Sequence, residues 1–351
     1  MVNVTWAGLI CPTLAPFSPN PDLTGHHRPL YRRVMRAAPA PRRRTARALG
    51  WATTTGAAGW GATRYVHSGA HVVAVPAALL PFALAPGIVG LALLAAARSR
   101  PGVVVSGLVI SALIATQLPL YVGSGSPGTG NLTVLSFNMK FGMGDAASVV
   151  ALARSSQADV VALEEMTYAA LERLTAAGLT QTFPYTVVAP GASSNGVGLF
   201  SRHPLLDTEQ LTGWPLGAVS ARLDLGPGAP SPRVYAVHVP APWPQNDGLW
   251  RAQLDAFRLP PLDAGPVVVA GDFNSTTDHE PFRVMLTRTG LDDAADRSGA
   301  GWTRTYPSDR AFPPIIAIDH VLIRSMAAAW VHTVTISGSD HRAVIAVLRA
   351  L

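Results

Sequence analysis

Residues 267–275 read VVVAGDFNS. Three valines and an alanine follow Gly265-Pro266, and Gly271-Asp272 ends the run. A short apolar run rich in β-branched residues and bounded by turn formers predicts a buried strand, so Asp272 and Asn274 emerge where that strand ends. The same grammar recurs on both sides of it. Asn138 closes LSFN, Glu164-Glu165 closes VVALEE, His238 stands near the end of VYAVHV, Asp319 precedes HVLI, and Asp340-His341 opens the last strand in SDHRAV. Carboxylates and amides at strand ends gather on one rim of a sheet, which is where open α/β sheets bind ligands.

The pattern predicts strands at Leu132–Met139, Asp159–Glu164, Tyr185–Ala189, Gly196–Ser201, Val219–Leu225, Val234–Val239, Val267–Ala270, Ile318–Ile323, Thr333–Ile336 and Ala343–Leu348. Helical periodicity falls at Ala146–Arg154, Tyr168–Ala177, Leu249–Arg258 and Glu280–Thr289. Strands joined both by helices and by turns such as Arg202-His203-Pro204 predict one α/β domain with mixed pairing over 131–351. The oxygen-rich polar set suits a hard cation such as Mg²⁺, and no cysteine and histidine cluster points to zinc.

Upstream, the chemistry changes. Residues 1–122 hold eleven arginines and one acid, Asp22, whereas 123–351 hold 16 bases and 20 acids. The basic character of the chain therefore belongs to its first third and is no footprint of nucleic-acid binding by the α/β domain. Positive mean hydropathy (+0.26) with 14% charged residues excludes a disordered tail protein. The single cysteine, Cys11, excludes an internal disulfide.

Residues 1–48, rich in Pro and Arg, read as a disordered basic arm. A transmembrane region of two to three helices is expected over 49–122: a weak candidate at Ala48–Thr63, then uncharged runs at Val72–Ala97 and Val103–Val122. Arg42, Arg43, Arg44 and Arg47 precede the first run, and Arg98 and Arg100 occupy the turn between the last two. The positive-inside rule puts both groups in the cytoplasm and the α/β domain on the extracytoplasmic side of the cell membrane, after a Gly/Ser linker at 123–130.

The ordered set SFN (136–138), LEE (163–165), GLFSRHPL (198–205), VHVPAP (237–242), GDFNS (271–275), IDH (318–320) and SDH (339–341) resembles the endonuclease/exonuclease/phosphatase superfamily. That resemblance implies a DNase I-like α/β fold, a two-layered β-sandwich flanked by helices, over roughly 131–351. It also implies Mg²⁺-dependent hydrolysis of phosphoric esters, with Mn²⁺ as a second candidate ion. Carried over residue by residue, Asn138, Glu165 and Asp340 are expected at the metal, with Glu164 standing where a glutamine is usual. Asp272 is expected to orient and deprotonate the attacking water, and Asn274 to bind the phosphate. His341 is expected to contact the phosphoryl oxygens, held by Asp319, and His238 to protonate the leaving oxygen.

Lys140 reads as a solvated strand-end residue, Asn195 and His279 as rim positions, and Arg202 as a structural ion-pair former. The expected partners are a phosphate-ester substrate (nucleic acid, phospholipid or small phosphoester) and the membrane; no protein partner is inferable. A membrane-tethered phosphoesterase is the leading reading, with an endonuclease and a sphingomyelinase-like lipid phosphodiesterase as enzyme alternatives. An inactive phosphate-binding module is the non-enzyme alternative, and the occupied polar positions argue against it.

Overall fold

The structure is a computed structural model that describes residues 40–123, 131–243, 247–261 and 265–350. The strands are, in chain order, β1 (Leu132–Asn138), β2 (Val160–Glu164), β3 (Tyr185–Ala189), β4 (Val197–Ser201), β5 (Leu205–Gln210), β6 (Ala218–Leu223), β7 (Arg233–His238), β8 (Val267–Asp272), β9 (Asp292–Asp293), β10 (Asp319–Arg324), β11 (Met326–Thr335) and β12 (Arg342–Ala350). They form two six-stranded sheets, ordered β11-β12-β1-β2-β4-β3 and β5-β6-β7-β8-β10-β9. Each sheet carries one parallel pair, β1 with β2 and β7 with β8, among antiparallel neighbours.

Alternation explains why the strands look continuously apolar. Along β1, Leu132 and Val134 face the opposite sheet, where they meet Val268, Ala270, Val321 and Ile323. Leu135 and Phe137 face outward onto α5 (Ala146–Ser155) and α6 (Tyr168–Ala176), reaching Val149, Val150 and Leu174. On the second sheet Val267 and Val269 pack outward against Trp250 and Leu254 of α8 (Asp247–Ala256) and Phe282 and Met285 of α9 (Glu280–Thr289). Both faces of the central strands are thus covered, and there the hydrophobic effect selects apolar residues at successive positions. Capping sets the helix starts: Asp145 accepts from Ser148 N at 2.8 Å and Thr167 from Ala170 N at 3.2 Å.

Before the sandwich come α1 (Ala40–Ala62), α2 (His71–Ala78), α3 (Leu84–Ala96) and α4 (Arg100–Gln117). Two expectations need correction here. Residues 40–48 of the expected basic arm are helical and run into the expected first span, while residues 1–39 lie outside the described residues. The run Val72–Ala97 is not one rod: a 3-10 turn at Leu80–Ala83, opened by Pro81, separates α2 from α3, and the pair bends by 77°. The linker lies outside the described residues from 124 to 130. Among the described residues, one helix, Arg100–Tyr121, has the length (22 residues) and mean hydropathy (2.0) to cross a membrane, and the bent α2–α3 pair meets the same test jointly. Small residues seat the bundle, with Thr54 Oγ1 and Ser106 Oγ hydrogen-bonded at 2.8 Å between α1 and α4.

This bundle packs onto the sandwich. Arg64 pairs with Asp278, Gln117 Nε2 donates to both Asp278 oxygens at 3.2 Å, and Leu120 O accepts from Gly301 N at 2.7 Å. Among unexpected elements, β5 is an edge strand, α7 (Leu179–Thr182) and α10 (Ala294–Ser298) are short, and β11 begins seven residues before the predicted Thr333.

Candidate active site

Strand register makes the first contacts. Asp272 lies abreast of His238 on β7 and of Asp319 on β10, and Asn138 lies abreast of Glu164 on β2. The two sheets are then joined at their rims by one amide. Asn138 Nδ2 donates to Asp272 Oδ2 at 3.0 Å and faces Glu165 Oε1 at 3.3 Å. Gly271 permits the close β7–β8 approach that sets this geometry: a Cβ there would sit 1.9 Å from Val237 O.

Glu164 and Glu165 separate at the end of β2. Glu164 continues the strand, is fully buried, accepts from Ser136 Oγ at 3.3 Å, and has a second oxygen, Oε2, without a hydrogen-bond partner. Burial, then Asp319 and Asp272, push its carboxyl well above the usual range. Glu165 turns out of the strand at φ 52° and lines the cleft, with Oε2 accepting from Phe141 N at 2.6 Å. Lys140, Phe141 and Asn274 also line the cleft with φ of 46°, 52° and 47°. Left-handed backbone at residues with side chains is strained, and such strain gathers where side chains must be aimed.

His341 and Asp319 form the charged pair. His341 Nδ1 donates to Asp319 Oδ2 at 2.9 Å, and Nε2 lies 3.9 Å from Asp272 Oδ2. Burial acts to lower the imidazole pKa, but Asp319 and Asp272 outweigh it and lift it to about 10. Ser339, which the sequence reading passed over, holds this turn: its Oγ donates to Asn138 O at 2.8 Å and accepts from His341 N at 3.0 Å. Burial pushes Asp272 up to about 7, with Asp319 adding to the shift and His341 opposing it. Asn274 N donates to Asp272 Oδ1 at 2.7 Å, while the Asn274 side chain donates to Val239 O at 2.9 Å.

His238 differs from His341. Its Nδ1 donates to Ser194 O at 3.0 Å, and burial pushes its pKa down to about 4. The neutral ring therefore presents a bare Nε2 toward Asp272 Oδ2 (3.7 Å) and Glu165 Oε1 (3.9 Å). That tautomer accepts a proton, so the expected donor role needs added negative charge in the cleft.

Asp340 stands at the rim beside Lys140 (3.7 Å), whose Nζ is tied more closely to Asp309 at 2.7 Å. Lys140 is thus ion-paired rather than merely solvated. His279 is no rim donor: it is buried, Nδ1 accepts from Thr276 N at 2.8 Å, and Nε2 donates to Ala74 O of α2 at 2.9 Å. Arg202 lies over the Phe183 ring instead of an acid. Asn195 braces its own loop by accepting from Ser193 N at 3.3 Å, next to the Ser194 carbonyl.

The donor chemistry fits a divalent cation. Asp272, Asp319 and His341 place one ligand atom each within 4.8 Å of one another. Two of these groups already satisfy each other, because His341 Nδ1 is bonded to Asp319. The carboxylate oxygens of Glu165 and Asp272, at which the Asn138 amide N–H groups are aimed, are the harder donors, the ones suited to Mg²⁺ or Mn²⁺.

Comparison with curated proteins finds no match. Among solved structures, a conserved protein of unknown function from Enterococcus faecalis is 13% identical, covers 63% of this chain and 100% of its own, and gives a TM-score of 0.49. Sphingomyelinase C from Streptomyces griseocarneus is 22% identical over 61% of this chain and 98% of its own, with a TM-score of 0.42. An endonuclease/exonuclease/phosphatase from Bacteroides vulgatus is 15% identical over 63% and 99%, with a TM-score of 0.48. The Endonuclease/Exonuclease/phosphatase family matches residues 135–341. The chain belongs to that family, whose members are phosphoric ester hydrolases.

Proposed function

We propose that this protein is a membrane-anchored, Mg²⁺-dependent phosphoric ester hydrolase that cleaves a phosphodiester or phosphomonoester by in-line attack of water, in a cleft on the extracytoplasmic side. One observation carries the reading: Asn138 bridges Asp272 and Glu165 on the cleft floor, and the charged His341–Asp319 pair stands beside it. Glu165 would hold the cation, with Asn138 beside it and Asp340 at the rim, which leaves Asp272 to act on water. When bound, such an ion supplies neutralisation of charge on the phosphoryl oxygens.

The remaining work falls to the chain. Asp272 has one oxygen fixed by Asn274 N and the other by Asn138, and its raised pKa suits a base that takes a proton from water near neutral pH. His341 carries its proton on Nε2 toward the cleft and donates it as a hydrogen bond to a phosphoryl oxygen, with Nδ1 locked on Asp319. His238 gains a proton as the anionic substrate enters and returns it to the leaving oxygen.

The membrane side rests on charge and length. Arg42 to Arg47 and Arg98 to Arg100 gather at the bundle end away from Arg64 and Gln117, which meet the catalytic loop. Full-length protein purified in detergent should hydrolyse bis-p-nitrophenyl phosphate with Mg²⁺ and lose activity in EDTA. Glu165→Gln should need much higher Mg²⁺ for the rate it retains, and full activity at limiting Mg²⁺ would refute the role of Glu165. A phosphatase reporter fused after Gly130 should be active outside intact cells; activity confined to the cytoplasm would reverse the topology.

A further inference from the structure

The catalytic residues form only part of their cavity. The cleft, about 640 Å³, has Glu165, His238, Asp272, Asn274 and His341 on one side, and on another His71, Ala74, Val75 and Ala78 of α2. This wall comes from the N-terminal helices, which no catalytic motif includes. It is held at two points: His279 Nε2 bonds Ala74 O in its middle, and His71 at its start stacks on Trp243 with ring centroids 5.9 Å apart and 26° between planes. His71 Nδ1 also lies 3.3 Å from Pro242 O.

The surface that α2 completes is apolar and open. Val75 is 38% exposed, Trp243 55% and Leu249 53%, and all three line the cleft. Beyond Ala78 the chain bends into the apolar α3, so the wall is continuous with the segment placed in the membrane above. Positive charge is scarce along the same cleft. Among the described lining residues Lys140 is the one lysine or arginine, and Asp309 and Asp340 already flank it. A polyanion needs several unpaired cations spaced along its backbone. A single phosphoester needs only the site described, and an alkyl arm gains from every methylene removed from water.

We infer that α2 is the specificity wall of the active site, and that the substrate is a lipid phosphodiester whose apolar arm lies along Val75 and Trp243 while its phosphate meets Asn274 and His341. The inference rests on the hydrolase reading and names its substrate class. Nucleic acid is the competing class, and the paired state of Lys140 argues against it.

Full-length protein in lipid nanodiscs can be assayed on p-nitrophenyl phosphodiesters whose second ester is methyl, butyl or octyl, each below its critical micelle concentration. The value of kcat/KM should rise at least about tenfold from methyl to octyl. In Val75→Asp and in the milder Val75→Thr and Trp243→Ser variants, the octyl-to-methyl ratio should fall toward one. The ratio is taken within one sample, so a misfolded fraction cancels. Equal rates along the wild-type series would overturn the inference while leaving the hydrolase reading standing. An unchanged ratio in all three variants would remove α2 and Trp243 from substrate recognition. Faster cleavage of a single-stranded oligonucleotide than of the octyl ester would make the substrate a nucleic acid. Hydrolysis of no ester at all, methyl included, would overturn the hydrolase reading itself.

Discussion

Asn138 and Asp272 end strands in different sheets and meet through a 3.0 Å hydrogen bond. The bond closes the mouth of the sandwich and fixes how far apart the two rims stand. Asn138→Ala removes it along with a candidate ion ligand, and should lower kcat/KM by about 10–100-fold, the range seen when groups orienting a metal site are lost. Steady-state kinetics across a Mg²⁺ titration checks this, and an undiminished rate at saturating Mg²⁺ would restrict Asn138 to metal affinity.

Asp319 and His341 should behave as one unit. His341→Ala is expected to cost about 10²–10⁴-fold in kcat/KM, and Asp319→Ala somewhat less. The double variant should be little worse than His341→Ala, because groups acting together are non-additive. Losses that multiply in the double variant would make Asp319 a structural strand-end carboxylate.

Glu164 should tolerate its own amide. The carboxyl is buried and its pKa is pushed up toward the neutral form, with Ser136 as the hydrogen-bond partner of one oxygen, so Glu164→Gln should keep kcat/KM within about threefold, while the cavity and lost hydrogen bond left by Glu164→Ala should cost about 2–5 kcal/mol of stability. Loss of activity in the amide variant, with unchanged Tm, would show that the carboxyl takes part in catalysis.

His320, next to Asp319 but facing away from the cleft, gives a pH signature. Its Nδ1 is paired with Asp293 at 2.6 Å and its Nε2 donates to Ser275 O at 2.7 Å. Burial alone would lower its pKa; the Asp293 charge and hydrogen bond outweigh this and raise it to about 9. A raised folded-state value means the stabilisation is complete below the unfolded value of 6.5 and is lost as pH rises through 9. Tm should therefore fall between those limits by about 2–4 °C for each kcal/mol lost. His320→Gln should flatten that slope, and an equal slope in both proteins would assign it to another group.

The strands that carry the site were legible because both of their faces are buried and their ends are polar. β5 was not, since LLDTEQ is an edge strand whose side chains are mostly exposed and show no apolar alternation. The first residues of β11, Met326 to Ala328, carry alanines without β propensity and are held by β12 instead. At the site, the identities of Asn138, Glu165, Asp272, Asp319 and His341 came from the sequence, and their convergence on one cleft from the fold. The contributions of Ser339 and α2 were hidden, because a serine or an apolar turn of helix acquires its role only from what the chain folds against it.

The contact of Arg64 and Gln117 with Asp278 bears on how the enzyme is handled. Asp278 follows Asn274 by four residues, and His279 anchors α2. Cutting the chain at Gly123 to obtain a soluble sandwich would strip the buried Asp278 of its cation, leave the His279 Nε2–H without its acceptor, and unroof the cleft along α2. Such a fragment would be a different molecule, with a wider mouth and a loosened catalytic loop. The smallest unit that keeps the site intact starts at the first helix, and solubilisation, rather than truncation, is the route to its native specificity.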